Sequence, residues 1–221
     1  MKLNRTNAVL AILAIAAAVL LVSSDQAVAS NMGFKENKQI FAQDGAPQNG
    51  RNLVALPFNN PYVTSQDVCD AINGNTPACR VVQINAQTGG QLVDTCGGGG
   101  AFNLAQRVGV IIDSCTSGTS GIIVGSHAPG VAVSFFAQSP PAPKGFNHYP
   151  IPFHTTNANM QAVCVDIGLP AGPGRIVRYN ADNGVVTTWS CGAGVSPTLV
   201  LGESLIVDSL TGAVSPVPSH F

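Results

Sequence analysis

Arg80-Val81-Val82-Gln83-Ile84-Asn85-Ala86-Gln87-Thr88-Gly89-Gly90-Gln91-Leu92-Val93-Asp94-Thr95-Cys96 returns 95 residues later as Arg175-Ile176-Val177-Arg178-Tyr179-Asn180-Ala181-Asp182-Asn183-Gly184-Val185-Val186-Thr187-Thr188-Trp189-Ser190-Cys191. In the first stretch Val82 and Ile84 alternate with Val81 and Gln83, the period of two that belongs to a strand, and Thr88-Gly89-Gly90 turns the chain back. In the second, Asn183-Gly184 stands at the turn, a dipeptide that accepts the positive φ angles of a tight hairpin. Each stretch predicts a β-hairpin, and the recurrence predicts a duplicated unit.

The same ungapped register runs outward from Phe41-Ala42-Gln43 against Phe136-Ala137-Gln138 to Asp113 against Asp208. It pairs Pro57-Phe58 with Pro152-Phe153, Val68-Cys69 with Val163-Cys164, Leu104 with Leu199 and Ile111 with Ile206. A period of 95 exceeds that of solenoid repeats, so each copy reads as a small domain with its own core. Thr64 caps, with Asp67 three positions on, and Val68, Ala71 and Ile72 follow at helical spacing, which predicts one short helix over Ser65 to Asn73. Further strands are expected at 108–113, 121–125 and 130–138. The fold class is therefore mainly β with a minor α component: two tandem homologous modules, each with one short helix.

Six cysteines lie in these modules. Cys69 and Cys96 have counterparts in Cys164 and Cys191, whereas Cys79 and Cys115 are matched by Gly174 and Leu210. The pairing that treats both copies alike is Cys69–Cys96 and Cys164–Cys191, with Cys79–Cys115 as an extra bridge in the first copy. No C-x2-C pair occurs, so the cysteines read as structural staples rather than zinc ligands.

The first thirty residues set the compartment. Lys2 and Arg5 precede the uncharged apolar run Ala8 to Val22, and Ala27-Val28-Ala29 offers small residues for a signal peptidase. The run has 15 residues, fewer than the roughly 20 that cross a bilayer as a helix, so a cleaved signal peptide over 1–29 and no membrane insertion afterwards are expected. Residues 30–52 then form a polar leader with one short strand at Gln39 to Gln43, 53–132 the first module, 133–145 a connecting strand and a proline-rich linker, and 146–221 the second module. Without residues 1–29 the chain carries 8 basic and 10 acidic side chains, a formal charge of −2, which attracts neither nucleic acid nor anionic membrane.

Candidate functional residues are few. His127 after Ser126 resembles His220 after Ser219, a recurrence that would suit a ligand site or a Ser-His strand end bonded to the local backbone. His148 and His154 occur only in the second copy. Asp113 and Asp208 end apolar runs, where a carboxylate can act in catalysis or form a turn, but Glu203 faces Val108, so no second acid recurs. Gly97 to Gly100 lacks the Lys-Ser/Thr and helix of a phosphate cradle. Trp189 and Tyr179 share a hairpin and, with Tyr62 and Tyr149, would either stack on a sugar or pack inside. Neither G-x-S-x-G nor H-E-x-x-H occurs, and no catalytic residue, metal or cofactor is expected.

One feature of the repeat phase concerns partners. Gln39 to Gln43 matches the second half of the connecting segment Val131 to Gln138, so an equivalent strand opens each module. If that segment also closes the first module, the second is left with an open edge, and the leader strand of another copy would fill it head to tail. The expected function is that of a secreted structural or cell-surface-associated protein that assembles with itself or with other surface proteins, through to a filament by strand addition. The alternatives are a carbohydrate- or protein-binding module pair and a hydrolase using His127 and Asp113 or their counterparts.

Overall fold

The hairpin stretches fold as their alternation requires, and each becomes half of a four-stranded antiparallel sheet. The computed structural model describes residues 33–44, 49–126, 132–139, 143–153, 155–169 and 174–217, all within the unit Gly33–Phe221. Among these lie strands β1 (Phe34–Ile40), β2 (Asn52–Val54), β3 (Arg80–Ile84), β4 (Gln91–Thr95), β5 (Val110–Asp113), β6 (Thr119–Gly125), β7 (Asn147–Pro150), β8 (Arg175–Tyr179), β9 (Val186–Ser190) and β10 (Ser204–Asp208). Helices α1 (Ser65–Ala71) and α2 (Met160–Asp166) complete the set. One sheet has the order β2-β5-β3-β4 and the other β7-β10-β8-β9, while β1 and β6 form a separate ribbon. The protein is thus mainly β.

The two sheets agree residue by residue. Arg80 stands opposite Thr95 and Asp113, and Arg175 opposite Ser190 and Asp208. A buried asparagine fixes each in the same way. The carboxamide of Asn52 accepts from the Phe41 amide and donates to the carbonyls of Phe41, Gly50 and Ile112. That of Asn147 accepts from Phe136 and donates to Phe136, Gly145 and Val207. Side-chain amides used to capacity inside a core specify one strand register, because a slip leaves buried polar groups unpaired.

Both helices start where a side chain can take up a free amide. Thr64 accepts from Asp67 N while the Asp67 carboxylate accepts from the Thr64 amide, a capping box, and Asn159 accepts from Ala162 N. Helix α1 stops at Ala71 rather than Asn73, because Asn73 takes a φ of 54°. Val68 and Cys69, and likewise Val163 and Cys164, face inward. The bridges Cys69–Cys96 and Cys164–Cys191 tie each helix to its hairpin, and Cys79–Cys115 is the third pair, as the repeat register predicts.

Three apolar clusters follow. One gathers Ile40, Val54, Val68, Ile72, Val81 and Ile112 under α1; a second gathers Phe135, Tyr149, Met160, Ile176, Leu205 and Val207 under α2. The third lies between the sheets and consists of Leu53, Val82, Ile84, Ile111, Val177 and Ile206, with Phe146 and Tyr179 against it. Both faces of β5 and β10 are consequently buried. The modules are packed face to face along a seam and not strung on a linker; of the proline-rich stretch, 140–142 lie outside the described residues.

The leader strand differs from expectation. It spans Phe34–Ile40, earlier than Gln39 to Gln43, and pairs with β6 over its whole length, from Phe34 opposite Gly125 to Ile40 opposite Thr119. The reason is the inward row Glu36, Lys38 and Ile40, of which Ile40 is fully buried in the first core. The connecting segment does not close the first module. Its Phe135 bridges Val214, and Val133 N donates to Pro216 O, the counterpart of the β1–β6 ribbon. The edge that the repeat phase leaves open is therefore covered within the chain.

Candidate functional site

The seam between the sheets brings charged and polar groups of both halves together. It is reciprocal: Gly50 N donates to Ala181 O at 2.8 Å, and Gly145 N to Ala86 O at 2.7 Å. The two glycines have φ of +70° and +81°, and a Cβ on either would fall within 2.5 Å of the backbone of the preceding segment, Gln43 or Gln138, so glycine alone lets each turn fold tightly enough to present its amide across the seam. Contacts of residue i with j and of the counterpart of j with that of i are those of a two-fold dimer interface, here closed within one chain. Two clefts result at equivalent places.

The first cleft is built where β1 and β2 of one half meet β8 and the start of β10 of the other. It is a cavity of about 230 Å³ lined by Lys38, Leu53, Arg178, Tyr179, Val200 and Glu203, among others. Lys38 Nζ donates to Gly202 O at 2.8 Å, and Arg178 Nε lies 3.5 Å from Glu203 Oε1. Burial pushes the Glu203 carboxyl up to about 7, against the pull of Arg178 and Lys38. Burial likewise raises Glu36 and lowers Lys38, each partly offset by the other's charge. The cluster is a charged plug that clamps β1 onto the Gly202–Glu203 turn.

The second cleft lies where Val133–Phe136 and β7 meet β3 and the 103–108 loop. It measures about 340 Å³, and its walls include Ile84, Leu92, Leu104, Val108, Phe135 and His148. His148 occupies the position of Leu53 in the repeat and is only 4% exposed. Neither ring nitrogen has a hydrogen-bond partner among the described residues. Burial, with a smaller contribution from the Arg51 charge, lowers its pKa to about 4, so the imidazole is neutral at pH 7.

Of the residues singled out from sequence, Tyr179 and His148 line these clefts. His127, His154 and His220 lie outside the described residues. Asp113 and Asp208 each close a cross-strand ion pair, with Arg80 Nε at 3.0 Å and Arg175 Nε at 2.7 Å. Trp189 is buried in the second core at 8% exposure, and Tyr149 is fully buried 5.6 Å from the Phe135 ring. Tyr62 is also buried, its hydroxyl accepting from Val124 N, and Tyr179 is half-buried at the seam with the Arg51 guanidinium 5.8 Å over its ring. Of Gly97 to Gly100, Gly97 and Gly98 lie in the turn after β4 and Gly99 bridges back to Thr95. Sequence reasoning missed Glu36, Lys38 and Arg178; their signal was the inward alternation of β1 and of β8. Among the described residues no group of His, Cys, Asp and Glu is arranged to hold a metal ion, and no helix is long and apolar enough to cross a membrane. Three disulfides suit an oxidising, extracellular-type environment. No protein-family model, curated protein or solved structure matches this chain.

Proposed function

We propose that the protein is exported and structural, and that it works by assembling with further copies of itself through sheet edges. The observation that carries this reading is strand β9. It has β8 on one side and no strand on the other among the described residues, and Val186-Thr187-Thr188-Trp189-Ser190 contains neither a charge nor a proline. Its first residue, Val186, and Val185 just before it are 42% and 55% exposed. Solitary edges are usually protected by charge, proline or a bulge, and one without them accepts another strand. The equivalent edge of the other sheet is β4, with Leu92 and Val93 exposed.

Pairing β4 of one copy with β9 of the next is a heterologous contact that does not close, so it builds a filament. This moves strand addition from the leader to the sheet edges, since β1 is occupied by β6. Export is supported by Lys2, Arg5 and the apolar run that follows, together with the disulfides. The test is light scattering and negative-stain microscopy of the disulfide-bonded chain from residue 30 at rising concentration. Fibres should form, and Val93→Lys with Thr188→Lys should abolish them at unchanged melting temperature. A strict monomer at every concentration refutes the reading.

A further inference from the structure

The two seam clefts occupy equivalent places but differ in what fills them. In one, Lys38, Arg178 and Glu203 occupy the space. At the corresponding positions the other has Val133, Gln83 and Val108, and without three charged side chains its cavity is about 340 Å³ against about 230 Å³. Its polar groups are largely spent on the protein itself. The Gln83 amide accepts from Ala105 N and donates to Ala105 O, and Asn147 is saturated by backbone. His148 is the one buried polar side chain of this cleft left unsatisfied among the described residues. Arg107 stands on the lip, exposed, in the left-handed region at φ 62°, with no ion-pair partner among the described residues.

We propose that this cleft binds one small organic acid whose apolar body enters between Ile84, Leu104 and Phe135 and whose anionic group meets Arg107. Apolar cavities are poorly wetted and take apolar guests; about 150 Å³ admits one benzene ring, so this cleft has room for roughly two. A guanidinium at the mouth supplies a charge-assisted hydrogen bond to a carboxylate without burying the charge. In the other cleft the same frame is narrowed to about 230 Å³ by Lys38, Arg178 and Glu203, whose charged groups oppose an apolar guest.

The test uses 2-naphthoate, titrated by calorimetry into the folded, disulfide-bonded chain below any concentration at which it scatters, so that the outcome is independent of assembly. One saturable site per chain is expected. Arg107→Gln should weaken it roughly tenfold. Val108→Glu with Val133→Lys, which copies the plug, should abolish it while the melting temperature stays within a few degrees. Lys38→Val with Glu203→Val should enlarge the other cleft and add a second, weaker site, because Gly202 stands there at the position of Arg107. Absence of saturable binding up to about 1 mM, or an affinity that neither Arg107→Gln nor the plug variant changes, overturns the proposal.

Discussion

Burial displaces His148 and Glu203 toward each other across the mildly acidic range, and they titrate in opposite senses. His148 has a folded pKa of about 4 against an ordinary 6.5, so the unfolded chain binds more protons between those values and stability falls as pH drops through that window. Glu203 has a folded pKa of about 7 against 4.5, so the folded chain binds more protons there and stability falls as pH rises through its window. Each shift is worth on the order of 3 kcal/mol, and between pH 4.5 and 6.5 they oppose each other. Removing one should therefore unmask the other. His148→Leu, the residue the first copy has at that place, should lose stability as pH rises from 4.5 to 7; Glu203→Gln should lose it as pH falls from 6.5 to 4. Urea unfolding at a series of pH values decides this, and parallel profiles for the two variants would refute the burial assigned to both.

At the scale of elements, each half is a hairpin, a capped helix and a bridge that locks one to the other. The first half adds Cys79–Cys115, a link across 36 positions, where the second has Gly174 and Leu210, the latter buried in its core. Closing a loop of that size stabilises by roughly 3 to 4 kcal/mol in the chain-entropy account. Cys79→Ala with Cys115→Ala should accordingly lower the unfolding free energy by about 2 to 4 kcal/mol while the fold persists. Cys79→Gly with Cys115→Leu should cost less, because a leucine restores apolar contact that alanine leaves as a cavity. Denaturant melts of the two variants give the ranking; the reverse order would mean that the second core is no guide to the first. The hairpins, the Thr64 cap and the bridges were legible in the sequence, because each depends on a turn motif, a side chain three residues from an amide, or a constant offset; the Asn159 cap was not, since no acid three positions on completes a capping box there.

The whole molecule behaves as two copies folded against each other. Ile111 and Ile206 are counterparts in the repeat and members of the same cluster between the sheets. Each truncated to alanine should cost about 2 to 4 kcal/mol. Because they share that cluster, the double variant should depart from additivity by more than about 0.5 kcal/mol. A double-mutant cycle in urea measures this; strict additivity would mean that the sheets fold as independent bodies. The seam was not legible, since the apolar runs Val110-Ile111-Ile112 and Leu205-Ile206-Val207 announce strands without saying that both of their faces are covered.

The amino-acid sequence by itself determined the mainly β class, the duplication, the two hairpins, the start of the first helix and the three disulfide pairs, all of them consequences of local propensity or of one constant register. Only the tertiary structure decided that β1 pairs with β6, that the sheets meet along a reciprocal seam, and that one cleft is plugged by charge while its counterpart is left apolar beside a neutral histidine. Those features depend on which faces remain to be buried once each half has formed, and the side chains that meet there come from positions far apart in the chain.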